Sequence, residues 1–89
     1  MRDRYLEITF RNGRPLAAYL YFPGMVRARS VRTEKIRNGL LVDYEAEGHP
    51  IGLEITAPTE VTSDQINEVL GELDVPLLDP EELAQLQAA

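Results

Sequence analysis

The sequence predicts an α+β domain: a meander of about five antiparallel strands followed by one or two C-terminal helices. Three observations carry this reading. The runs 5–10 and 40–56 alternate apolar and polar side chains, the period of a strand with one buried face. Glycine-bearing turns punctuate them. Beyond residue 61 the apolar spacing lengthens to three and four, the period of a helix.

In chain order, Leu6, Ile8 and Phe10 share one face of a first strand, with Tyr5, Glu7 and Thr9 on the other. Asn12-Gly13 follows, the strongest short hairpin signal, because a type I′ turn needs positive φ at both central residues. Leu16–Phe22 returns as a second strand. Its two faces, Leu16, Ala18, Leu20, Phe22 and Ala17, Tyr19, Tyr21, are both fairly apolar, which predicts a central or doubly covered position. Pro23-Gly24 breaks the chain. Residues 26–33, VRARSVRT, read as a third strand with Arg27 and Arg29 on one face. Residues 34–39 read as a turn region closed by Asn38-Gly39. Leu40, Val42 and Tyr44 then alternate with Leu41 and Asp43; the acidic Glu45–Gly48 segment turns the chain; Ile51, Leu53 and Ile55 alternate with Gly52, Glu54 and Thr56.

The helical part begins with Ser63 as the expected N-cap and Ile66, Val69, Leu70 and Leu73 as the buried stripe. A second helix start is written in Asp79-Pro80-Glu81-Glu82: a capping aspartate, proline at the first helical position and a glutamate to complete a capping box. Leu77, Leu78, Leu83 and Leu86 form an apolar stripe that either returns to the sheet or docks on a second chain, since so short a helix must pack on something.

The 89 residues make one domain, with a sheet over 1–57 and a helical part over 62–88. A chain of this size buries about 60–65% of its unfolded surface, a thin core that favours pairing with another chain. The absence of cysteine excludes a disulfide framework and a thiolate zinc site. No apolar run approaches the roughly 20 residues that span a bilayer, and the alternating N-terminal stretch lacks a signal core. These features predict a soluble cytoplasmic protein with no membrane segment. The net charge of −6 hides an asymmetry: residues 1–37 carry nine basic and three acidic side chains, whereas residues 38–89 carry twelve acids and no lysine or arginine. The two halves either face each other within the fold or mark a partner surface.

The stretch Gly39 to Thr56, GLLVDYEAEGHPIGLEIT, resembles the closing signature of a small bacterial family called domain of unknown function 2283. That signature is close to Gly-Val-Leu-Val-Asp-Tyr-Asp-x-x-Gly-x-Val-x-Gly-Ile-Glu-Ile. The matching positions are Gly39, Leu41, Val42, Asp43, Tyr44, Gly48, Gly52, Glu54 and Ile55. Residues 10–22 keep the hairpin and the Ala-x-Tyr-Leu character of the family's opening but none of its acids. The family has no established activity or catalytic residues. The resemblance implies at most a role suspected for some members, the antitoxin-like partner of a small toxin-like protein.

The residues themselves argue against chemistry. Asp43, Glu45, Glu47 and Glu54 lie on one hairpin with His49, but the acids read as solvated turn and strand residues. The calcium-loop pattern closed by a bidentate glutamate is missing. His49 has neither a nucleophile nor an orienting partner at recognisable spacing, and one histidine without cysteine does not make a zinc set. No phosphate-loop glycine pattern occurs. The expectation is therefore no enzyme, no catalytic residue, no cofactor and no metal. The informative constellation is the sheet face opposite the helices, where Tyr5, Tyr19, Tyr21, Arg27 and Arg29 would gather if the strands keep parity. Tyrosine and arginine are enriched at binding hot spots. The expected partner-binding residues are Tyr19, Tyr21, Arg27, Arg29 and Arg32, for a small protein partner or a second copy of the chain. The alternative is a nucleic-acid-binding regulator using the basic N-terminal half, against which the acidic second half weighs. A plainly solvated face is the third reading.

Overall fold

The computed structural model describes residues 5–25, 27–58 and 60–87, with the side chains of residues 83 and 85–87 outside the description. Five strands, β1 (Tyr5–Arg11), β2 (Arg14–Tyr21), β3 (Arg32–Arg37), β4 (Leu40–Tyr44) and β5 (Pro50–Ile55), precede two helices, α1 (Ser63–Glu72) and α2 (Pro80–Gln87). The strands form one antiparallel sheet in the order β1-β2-β5-β4-β3. The α+β architecture is the one the sequence predicts. Its meander is not sequential throughout. β3, β4 and β5 follow one another, but β5 then pairs with β2, so residues 22–31 carry the chain to the far edge of the sheet.

The β1–β2 hairpin closes on Asn12 and Gly13 with φ of 53° and 77°, the two positive values that a type I′ turn requires. The register shifts once, from Thr9↔Ala17 to Phe10↔Pro15, which leaves Leu16 as an extra residue on β2. The bulge overturns the expected inward Leu16: Pro15 is buried and Leu16 is exposed. β1 gains no residue and keeps its alternation.

The third strand also differs from expectation. Residues 27–31 form no strand; β3 keeps only Arg32 and Thr33 of the expected strand and runs on through residues 34–37, read as a turn region. Its position follows from its partner. β4 buries Leu40 and Val42, and the segment next to the Gly39 turn is the one that can fold back on it, with Lys35↔Leu41 and Thr33↔Asp43 opposed. Pairing overrides the strand-like alternation of arginine with small and apolar residues upstream. The charged sequence suits the place, since charges protect an exposed sheet edge.

Ala18, Leu20, Phe22, Leu40, Val42, Leu53 and Ile55 from one face of the sheet join Ile66, Val69 and Leu70 of α1 and Leu78 of the connector in a single core. α1 is capped by Thr62 rather than by the expected Ser63. The Thr62 hydroxyl accepts from the Gln65 backbone N–H at 3.1 Å, and the Gln65 side-chain Oε1 accepts from the Thr62 backbone N–H at 2.9 Å. Only Thr62 has a glutamine three residues on; Ser63 has Ile66 there. The helix ends in a Schellman motif, in which the Val75 N–H donates to the Leu70 carbonyl at 2.9 Å and the Asp74 N–H to the Gly71 carbonyl at 3.2 Å.

The start of α2 matches the sequence: Asp79 accepts from the Glu82 N–H, and the Glu82 carboxylate accepts from the Asp79 N–H. Of the leucine stripe, Leu78 is buried, its N–H held by Asn67 of α1, while Leu77 is exposed; the side chains of Leu83 and Leu86 lie outside the described ones. Among the described residues one arginine joins the oppositely charged halves by ion pairs. Arg37 of β3 donates to Glu72 at 2.6 Å and Glu68 at 3.1 Å on the outer side of α1. No helix among the described residues is long and apolar enough to cross a membrane.

Candidate protein-interaction face

α1 and Leu78 of the connector cover one face of the sheet. The other face can be written as rows of opposed residues. One row runs Tyr5, Tyr21, Gly52, Asp43, Thr33, and the next runs Glu7, Tyr19, Glu54, Leu41, Lys35. The first row has a gap at its centre. Gly52 has no side chain, and the Tyr19 ring of the neighbouring row lies across it. A Cβ at Gly52 would stand 2.6 Å from Tyr19 Cε2 and 2.7 Å from the Leu20 carbonyl oxygen. A glycine inside a central strand normally weakens it, and here it makes room for an aromatic ring.

Tyr19 uses that passage to reach β4. Its hydroxyl donates to Asp43 Oδ2 at 2.7 Å, 24 residues away in sequence. Thr33 of β3 donates to Asp43 Oδ1, so both carboxylate oxygens are engaged. Burial, and then the bond to the Asp43 carboxylate, push the Tyr19 phenol well above its ordinary range. Tyr19 therefore stays a donor at alkaline pH where a free tyrosine ionises. Side chains from β2, β4 and β3 are thus tied together over the backbone of β5.

The remaining tyrosines extend this cluster to the β1 edge. Tyr19 and Tyr21 have ring centroids 4.6 Å apart, and Tyr5 and Tyr21 5.8 Å, in tilted arrangements favoured by aromatic quadrupoles. Tyr5 is 52% exposed. Beside Tyr19 the face dips into a depression of about 120 Å³ lined by Glu7, Thr9, Ala17, Ala18, Tyr19 and Glu54.

Of the sequence-predicted partner residues, the structure brings together Tyr19 and Tyr21, with Tyr5. It does not bring Arg32 to them. Thr33 and Lys35 occupy the tyrosine face, so Arg32 lies on the opposite one, its guanidinium 4.1 Å from the Tyr44 ring centroid and paired with Glu34. Arg27 and Arg29 are exposed in the connection between β2 and β3, outside the rows of the sheet. The expected tyrosine-arginine face is therefore a tyrosine face without Arg27, Arg29 or Arg32; Lys35 stands in its second row, and Arg11 and Arg14 at its hairpin end. Sequence reasoning missed Lys35 because it placed β3 six residues too early. Thr33 and Asp43 escaped for the same reason, since their contact depends on register.

The acidic hairpin turn is organised locally. Glu45 Oε1 accepts from the His49 backbone N–H at 2.8 Å and lies 3.3 Å from His49 Nδ1, while the backbone of Glu45 closes the turn with His49 and Gly48. Glu45, Glu47 and His49 each offer a donor atom within 4.8 Å of the others, and the glutamate-backbone bonds account for that proximity. Asp43 and Glu54 stand on the tyrosine face and His49 in the exposed turn, so these three do not share a pocket wall.

The backbone bond from His49 holds the Glu45 carboxyl below its usual range. A depressed carboxyl contributes its stabilisation above the unfolded value and loses it as pH falls through the folded one. Acidification below about pH 4 is therefore expected to loosen this turn first. Amide exchange at His49 and Gly48 should rise there in the wild type. Glu45→Gln, which does not titrate, should remove the step; an identical step in the variant would refute the assignment.

Comparison with known proteins bears on the same region. Residues 17–57 match the family described as "Protein of unknown function (DUF2283)", which bears out the resemblance seen in the hairpin. The matched span runs from within β2 to just past β5 and includes Tyr19, Asp43 and Gly52. No curated protein and no solved structure matches the chain.

Proposed function

We propose, from the premise that residues 17–57 carry the DUF2283 pattern, that this chain is a small non-catalytic cytoplasmic interaction module. It binds a small protein partner on the open face of its sheet, in the manner of an antitoxin-like subunit. The observation that carries the reading is the Tyr5-Tyr21-Tyr19 cluster on a face that no described helix covers. Tyrosines supply large amphipathic contact area at low entropic cost, and Tyr19 is already fixed by Asp43. Lys35 and Glu54 would frame the patch with charge.

The test uses Tyr5→Ala and Tyr21→Ala, not Tyr19→Ala, because Tyr19 also holds the sheet together. A tagged chain drawn from its native lysate with nuclease present should retain a stoichiometric small protein. The double variant should lose that protein at least about tenfold while its melting midpoint moves by only a few degrees. Equal retention by the variant would overturn the reading. A partner lost only on nuclease treatment would favour the nucleic-acid alternative, for which the exposed Arg11, Arg14, Arg27 and Arg29 offer cations.

A further inference from the structure

The two edges of the sheet are built differently. At the β3 edge, Arg32, Glu34, Lys35 and Arg37 make four of six residues charged, a composition that discourages strand addition. At the β1 edge the sequence is Tyr-Leu-Glu-Ile-Thr-Phe-Arg, with neither proline nor lysine. The bulge of the hairpin lies on β2, so β1 presents an unbulged seven-residue edge. Among the described residues no strand pairs with its outer side. Leu6 and Ile8 are half-buried against the core margin, and Phe10 is 53% exposed.

The charges on this strand are unmatched among the described residues and complementary to each other. Glu7, Thr9 and Arg11 follow one another on the tyrosine face. Neither Glu7 nor Arg11 makes an ion pair among the described residues. Arg11 stands opposite Arg14 across the hairpin, a like-charge pair that costs stability.

We propose that a second copy of this chain pairs antiparallel with β1 about a two-fold axis at Thr9, completing a ten-stranded sheet. That register sets Glu7 opposite Arg11 of the other copy, twice, and Ile8 opposite its Phe10, twice, on the core-side face. Moving the axis to Glu7 would oppose two glutamates, and moving it to Ile8 would set Glu7 against threonine. Only the Thr9 register satisfies both charges and relieves the Arg11–Arg14 repulsion. The surface is the edge of the sheet, so the inference does not depend on the partner proposed for its face.

The test measures association by sedimentation equilibrium on the full chain. The wild type should dimerise. Glu7→Arg and Arg11→Glu should each weaken the dimer about tenfold or more, and the double exchange should recover most of the loss. The chain has no cysteine, so Thr9→Cys is a clean second probe. It should form a disulfide-linked dimer on mild oxidation, whereas Lys35→Cys on the other edge should not. A monomeric wild type at 100-fold concentration range would overturn the proposal, as would a double exchange weaker than either single one. Cross-linking through Lys35→Cys alone would assign the dimer to the wrong edge and overturn it equally.

Discussion

Replacing Gly52 with alanine is expected to cost the fold about 3 kcal/mol, the upper part of the range for overpacking a filled site. The new methyl meets the Tyr19 ring at 2.6 Å and the Leu20 carbonyl oxygen at 2.7 Å. The ring can swing away, but only by releasing Asp43; the carbonyl belongs to the β2–β5 ladder and cannot move without opening it. For a domain of this size the melting midpoint should fall by about 15 °C. A double-mutant cycle with Tyr19→Ala separates the two obstacles. If the ring is the larger one, Gly52→Ala should cost about 1 kcal/mol in that background. A Gly52→Ala protein within about 0.5 kcal/mol of the wild type would show that the passage under Tyr19 is not needed.

Leu53→Ala is the other large effect, expected at about 3–4 kcal/mol. Leu53 is completely buried in β5, between Leu20 of β2 and Val42 of β4 in the same row. Hydrogen-bonded neighbours on both sides keep the strand from collapsing into the cavity. Such a loss is a large share of the 5–15 kcal/mol typical of a whole domain. Leu6→Ala provides the internal comparison. Leu6 ends that row on the edge strand and is only half-buried, so about 1 kcal/mol is expected. Urea unfolding should show the two midpoints well separated with little change in slope. Equal costs would mean that the core does not centre on β5.

The two variants also show what the sequence made legible. Alternation marked Leu53, Ile55, Leu40 and Val42 as inward, and turn chemistry located the Asn12-Gly13 hairpin and the α2 start. These signals are local, decided within a few residues of chain. The placement of β3 was not local. Residues 26–31 set Arg27 and Arg29 between Val26, Ala28 and Ser30 and look more like a strand than Thr-Glu-Lys-Ile-Arg, yet pairing with β4 chose the latter. Strand order was equally hidden, because nothing in β2 says that its second neighbour is β5 rather than β3. The tyrosine face was half legible: the parity of Tyr5, Tyr19 and Tyr21 followed from the hairpin register, but the arginines depended on a strand that forms elsewhere. The Tyr19–Asp43 bond, which gives Gly52 its reason, joins residues whose proximity only the completed sheet creates.

The position of β5 has a consequence for how the chain is made. The strand at the centre of the sheet is the last of the five to leave the ribosome. Until residue 55 has emerged, the nascent protein holds a β1–β2 hairpin and a β3–β4 hairpin with nothing between them. Isolated hairpins are marginal in water, so neither is expected to wait in a stable form. Synthesis at about 5–20 residues per second then delivers β5 and α1 within a few seconds of each other. The keystone and the helix that covers it arrive together, and the interval in which bare strand edges meet solvent is short.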